Sequence, residues 1–239
     1  MFYEDKILTF AQNSTNKDIV KENLKYNHTR EVQRNQSPYT AAITGGGFLF
    51  SETNALLPLL LDENADCLIK DEVLNNNVLH INSENSRKRN VSEIKRRFEM
   101  MPRSFWHDYI DMNDDDKRIA LLFVLLKTYK ILFDFHANVT MQRWRSASQD
   151  ISIDDLMMEF NSISAKDEFV DAWSDATKKK VASAYLSILR HVDMLDSDGR
   201  LKELRPSNAD YYFGIGEPWF LDACLLEQYE IESLKQMQS

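Results

Sequence analysis

The sequence is poor in the residues that mark several structural classes. It has 239 residues but only two cysteines, Cys67 and Cys224, so a disulfide framework is excluded. Six glycines and five prolines argue against collagen-like chains, Pro-rich linkers and turn-dense β-sandwiches. The longest uncharged apolar run, Ile119 to Leu126, is followed by Lys127, Lys130 and Asp134. A membrane span needs about 20 apolar residues, so this run predicts a core helix and no membrane association. The chain opens Met1-Phe2-Tyr3-Glu4-Asp5-Lys6, without a basic stretch leading into an apolar one. A cytoplasmic protein with reduced thiols is expected. Excess positive charge is also absent. Lys and Arg number 29 against 38 Asp and Glu, a net charge of −9, so any contact with nucleic acid must come from local basic faces.

Catalytic patterns are missing as well. The five histidines, His28, His80, His107, His136 and His191, include no pair at i, i+4 and no His-Glu-x-x-His. The cysteines lack metal-ligand spacing. Acidic pairs such as Asp154-Asp155 read as helix N-terminal residues. No enzyme activity, cofactor or metal is expected. Gly45-Gly46-Gly47 precedes a helix, where glycines can cradle phosphate, yet no Gly-Lys-Ser/Thr follows. The residues favour a tight turn that lets backbone pack on backbone.

What is present is helical periodicity. Residues 1–37 form a polar, Asn-rich extension, with one weak helix around Ile19, Val20 and Leu24. From Pro38 onward the expected helices are Glu52 to Leu61 capped by Ser51, Asp66 to Leu74, Ser83 to about Met100, Arg103 to Ile110, and a buried helix from Lys117 to about Phe135. A further helix runs through Met141 and Trp144. Ser152 caps Ile153 to Phe160, and Ser174 caps a helix to about Leu195. Asp196-Ser197-Asp198-Gly199 is a turn, possible site of a small β-hairpin, and Trp219 to Leu226 a docked tail helix. The fold class is all-α. Residues 38–148 form an N-terminal helical region with a helix-turn-helix-like unit, and 149–239 a winged-helix-like region.

Two helices carry basic faces. At about 100° per residue, Val91, Ile94 and Phe98 share one side, with Arg87 leaning toward it. Lys88, Arg89, Ser92, Lys95 and Arg96 form a stripe on the other. On the second helix Val181, Tyr185, Ile188 and Val192 face inward, while Lys179, Lys180, Ser183 and Arg190 face outward. Arg200 follows in the Gly199 turn. Such stripes can sit against phosphates, and they are equally the ordinary solvated face of a helix. Residues 150–175 are the counterpart, with Asp150, Asp154, Asp155, Glu159, Asp167, Glu168, Asp171 and Asp175 against Lys166. This segregation suits one-sided binding of an anionic polymer, or docking to a basic protein.

Tyr39-Thr-Ala-Ala-Ile-Thr-Gly-Gly-Gly-Phe-Leu-Phe-Ser-Glu-Thr53 resembles the opening of the BrxA family of bacteriophage exclusion (BREX) defence systems. The basic helix at Asn85-Ser-Arg-Lys-Arg, the apolar helix near Leu121, Thr177-Lys-Lys-Lys and the later Asp-Gly-Arg turn extend the resemblance over about residues 38–206. It implies an all-α protein with helix-turn-helix elements that binds double-stranded DNA beside other BREX proteins. It also implies that this is not the system's methyltransferase, consistent with the lack of a Gly-rich methyl-donor motif and of Asn/Asp-Pro-Pro-Tyr. A monomer is expected. The competing readings are an adaptor bridging BREX components and a transcriptional regulator of the defence operon. No dimerisation helix is evident for the regulator.

Overall fold

The computed structural model describes residues 37–236, so the weak helix around Ile19 lies outside the described residues. The fold is all-α. Its contacts group the chain into two discontinuous units: residues 37–39, 133–172 and 193–236 make one, and Thr40–Leu132 with Trp173–Val192 make the other. The boundary drawn from sequence at 148/149 lies within the first of these. The first, acidic unit has 7 Lys and Arg against 18 Asp and Glu. The second, near-neutral unit has 16 against 15.

The near-neutral unit begins with a 3-10 turn, Ala42–Gly45. Helices α1 (Phe50–Leu61), α2 (Ala65–Asn75) and α3 (Glu84–Phe98) follow, each packed on the other two. Their shared core is Leu49, Leu56, Leu60, Ile69, Val91 and Ile94, with Phe98 at its edge. Each such residue fully buried contributes about 1.5–3 kcal/mol. Ser83 caps α3 as its sequence position predicts, accepting from Ser86 N. The start of α1 differs from expectation. Its N-cap is Leu49, held left-handed at φ 52°, and Ser51 lies inside the first turn. The cause is tertiary: Arg97 binds the Gly47 and Phe48 carbonyls and fixes how the chain enters the helix.

Helices α4 (Arg103–Asp111) and α5 (Asp114–Thr128) complete this stretch, and Asn113 caps α5. Every residue from Ile119 to Leu126 is buried, as the apolar run requires. The expected continuous helix to Phe135 is interrupted, however. Tyr129 is extended at φ −118°, ψ 105°, and α6 (Lys130–Phe135) follows it. Tyr129 breaks the helix where its ring and hydroxyl join a buried polar network described below.

In the acidic unit a π-helical turn, His136–Thr140, leads into α7 (Met141–Trp144). Ser152 and Asp155 form a reciprocal capping box on α8 (Ile153–Ser164), which runs beyond the expected Phe160. A short α9 (Glu168–Asp171) follows, capped by Asp167. Helix α10 (Asp175–His191) belongs to the near-neutral unit and is capped by Ser174. It ends four residues before the expected Leu195, because Asp193 turns left-handed at φ 60°. Near Gly199 there is no named strand. Two isolated antiparallel bridges, Leu195↔Leu201 and Asp150↔Arg200, take the place of the hairpin. Gly199 sits at φ 83°, in the region that favours glycine. The winged-helix reading is not reproduced, since α10 and these bridges belong to different units. The tail has three short helices, α11 (Asp210–Gly214), α12 (Trp219–Ala223) and α13 (Gln228–Gln236); the expected docked helix is α12, which ends at Ala223.

Candidate nucleic-acid interface

The connector between α2 and α3 is organised by two buried charges. Glu72 is 1% exposed, and its carboxylate accepts from the backbone N–H groups of Asn77, Val78 and Leu79 at 2.8, 2.9 and 3.0 Å. Arg87 donates from Nε to the Val73 carbonyl at 2.9 Å and from Nη1 to the Ile81 carbonyl at 2.6 Å. With a further bond from Nη2 to the Leu74 carbonyl at 3.3 Å, it satisfies two carbonyls that the end of α2 leaves without helical partners and one in the connector. The side-chain direction of Arg87 was legible in its 100° spacing. The eight-residue connector, 76–83, is long for a helix-turn-helix and is held by side chains instead of a tight turn.

The stripe on α3 is open to solvent: Lys88, Arg89, Ser92 and Arg96 are exposed and Lys95 is half-buried. Three of its four cations carry carboxylate partners. Lys88 Nζ lies 2.5 Å from Glu84, Lys95 Nζ 3.2 Å from Asp66, and Arg96 Nε 3.7 Å from Glu93. The hydrogen bond from Lys88, and then its charge, hold the Glu84 carboxyl below the usual carboxylate range. Arg89 forms no ion pair among the described residues.

On α10 the picture differs. Lys179, Lys180, Ser183 and Arg190 are all exposed, and the three cations form no ion pair among the described residues. The 3-10 turn Ala42–Gly45 packs against both α3 and α10, so the two basic helices share one support. Arg89 lies over that turn: a Cβ built on Gly45 would meet Arg89 Cδ at 2.9 Å. Glycine at 45 permits the arginine stem to lie on the backbone. Arg200 is exposed, but it belongs to the acidic unit.

Sequence spacing missed the residues that hold this support. Arg97 is 0% exposed. It donates to the Phe48 carbonyl at 2.9 Å, the Gly47 carbonyl at 2.7 Å and the Tyr129 hydroxyl at 3.1 Å. Tyr129 in turn donates to Glu93 Oε2 at 2.6 Å. Burial pushes the Tyr129 hydroxyl up to about 12, so it remains a proton donor. Arg97 and Glu93 sit on the flank of α3 between its apolar side and its stripe, and α3 is therefore buried on two sides. A cation next to Phe98, in a run of three basic residues of which two belong to the outer stripe, gave the only signal.

The sequence model of the BrxA family matches residues 37–209. This chain belongs to the BrxA family. A BREX protein BrxA of Bacillus cereus (strain H3081.97) is 20% identical over 166 residues, covering 70% of this chain and 83% of the relative. A BREX protein BrxA of Escherichia coli O9:H4 (strain HS) is 22% identical over 168 residues, covering 70% and 78%. Among solved structures, an uncharacterized protein from Magnetospirillum magneticum aligns at TM-score 0.69 and 25% identity, over 79% of this chain and 98% of that one. The BrxA match begins at the residue where the described fold begins, and it includes both basic helices and Arg200. No group of three or more His, Cys, Asp or Glu among the described residues could hold a metal ion. No helix among them is long and apolar enough to cross a membrane.

Proposed function

We propose that this BrxA-family protein is a non-catalytic, double-stranded-DNA-binding component of a BREX defence system, acting as a cytoplasmic monomer. The observation that carries the reading is the placement of charge. The negative excess lies in one unit, while the other presents Arg89, Lys179, Lys180 and Arg190 exposed and without carboxylate partners on helices that share one support. Helix-borne Lys and Arg suit phosphates better than a full code of base edges, so binding is weakly sequence-dependent. The pair α2–α3 supplies the helix-turn-helix-like element of this surface.

The test is a gel-shift series on unrelated duplexes between 50 and 200 mM salt. Dissociation constants around 10⁻⁴–10⁻⁶ M at physiological salt, weakening steeply as salt rises, support the proposal. Nanomolar binding to one sequence, with scrambled duplex ignored, favours a regulator. Absence of any shift at low salt favours an adaptor, for which α8 offers a specific feature: Met158 is 67% exposed, one turn after the exposed Asp154.

A further inference from the structure

The two basic helices look equivalent in sequence and are not equivalent in the fold. On α3, Lys88 faces Glu84 on its own helix, and Lys95 faces Asp66, which α2 delivers from 29 residues away. Arg96 shares the Glu93 carboxylate with Tyr129. Each of these carboxylates takes up a cation that would otherwise be open to a phosphate oxygen. On α10 no carboxylate among the described residues does so for Lys179, Lys180 or Arg190. At about 100° per residue, Lys179, Arg190, Ser183 and Lys180 fall within roughly 100° of one another, so the open cations make one row. The two serines near them, Ser183 and Ser187, are short enough to let a polyanion approach closely.

We infer that the phosphate-contacting surface is this α10 row together with Arg89, and that Glu84 and Asp66 act as built-in phosphate mimics that mask Lys88 and Lys95. The inference rests on the DNA-binding reading above and adds a hierarchy to it. DNA engages α10 first, and the α3 lysines join only by giving up their carboxylates. The α3 stripe therefore contributes less to affinity than its charge suggests.

Three variants measured with the whole chain on one duplex test this. Replacing Lys179, Lys180 and Arg190 by Ala lowers the slope of log affinity against log salt by about 3, at roughly 0.9 per lost contact. Replacing Lys88 and Lys95 by Ala lowers it by less than one. The pair Glu84→Gln with Asp66→Asn raises affinity by about two- to fivefold per exposed pair released and steepens the salt slope. A control pair, Asp154→Asn with Glu168→Gln, makes the same change in net charge on exposed residues that pair with neither α3 lysine, and it gains less affinity than the Glu84/Asp66 pair. Equal losses from the α3 and α10 variants overturn the hierarchy. So does a Glu84/Asp66 pair that binds no better than the control pair. A wild-type protein without duplex affinity at 50 mM salt overturns the DNA-binding reading itself, a result distinct from the other two.

Discussion

The two units solve the problem of buried titratable groups in different ways. The near-neutral unit keeps its buried charges and surrounds them with partners. Glu72 has three backbone N–H groups, Arg87 a set of carbonyls, and Arg97 two carbonyls and a tyrosine hydroxyl. The acidic unit buries one carboxylate, Asp134, which accepts from the Tyr39 hydroxyl at 2.8 Å, beside a histidine and a cysteine held in their neutral forms. His136, on the π-helical turn, is 1% exposed, and its Nε2 lies 2.7 Å from the Ala223 carbonyl. A carbonyl only accepts, so Nε2 carries the proton and donates. Burial pushes this imidazole down to about 4, and burial likewise pushes the Cys224 thiol up. Buried charges that make fixed hydrogen bonds impose a geometry on loops. A buried neutral imidazole makes stability depend on pH.

The largest effect should come from breaking the charged network. Arg97→Met leaves the Gly47 and Phe48 carbonyls, and the Tyr129–Glu93 pair, without their cation. Removing one member of a buried charged set typically costs about 3–5 kcal/mol. Urea unfolding should show this as a large fall in midpoint. A change under about 1 kcal/mol would mean that water reaches the site.

Acid should act on the buried imidazole of the other unit. The unfolded imidazole takes up a proton below about 6.5, while folded His136 resists protonation down to about 4. Stability from this residue is therefore complete above pH 6.5 and is lost as pH falls toward 4. The loss amounts to roughly 3 kcal/mol at about 1.4 kcal/mol per pH unit. His136→Gln keeps a donor for the Ala223 carbonyl and does not titrate. Its unfolding midpoint should lose most of the dependence between pH 6.5 and 4. An unchanged pH profile in this variant would place the acid sensitivity elsewhere.

Caps sharpen the comparison at a smaller scale. Ser152→Ala in the acidic unit removes both an acceptor for Asp155 N at 3.4 Å and a donor to Asp155 Oδ2 at 2.8 Å, and should cost about 1–2 kcal/mol. Ser83→Ala in the near-neutral unit removes a single bond of 3.4 Å and should cost about 0.5 kcal/mol. Unfolding midpoints in the reverse order would contradict this reading of the geometry. The smallest effect is expected from Gly45→Ala. The added methyl meets only the flexible stem of Arg89, so stability should stay within about 0.5 kcal/mol of wild type.

The all-α class and most helix starts follow from local sequence. Ser83, Ser152 and Ser174 cap where they were expected to, because capping is settled within three residues of chain. Local sequence also determined the inward faces of α3 and α10, since a 3.6-residue period fixes which side chains share a side. The residues of the BrxA resemblance were visible at the same level. Tertiary structure alone decided the rest. It made Arg97 an interior residue while Arg96 beside it stayed outside. It set Leu49 left-handed at the start of α1, broke the long helix at Tyr129, and stopped α10 at His191. It brought Asp66 to Lys95 across 29 residues while leaving the α10 cations without such partners. The reason is the range of the interactions. Caps and periodicity act over three or four residues and can be read along the chain. The pairing of a charge depends on which distant segment the fold delivers to it.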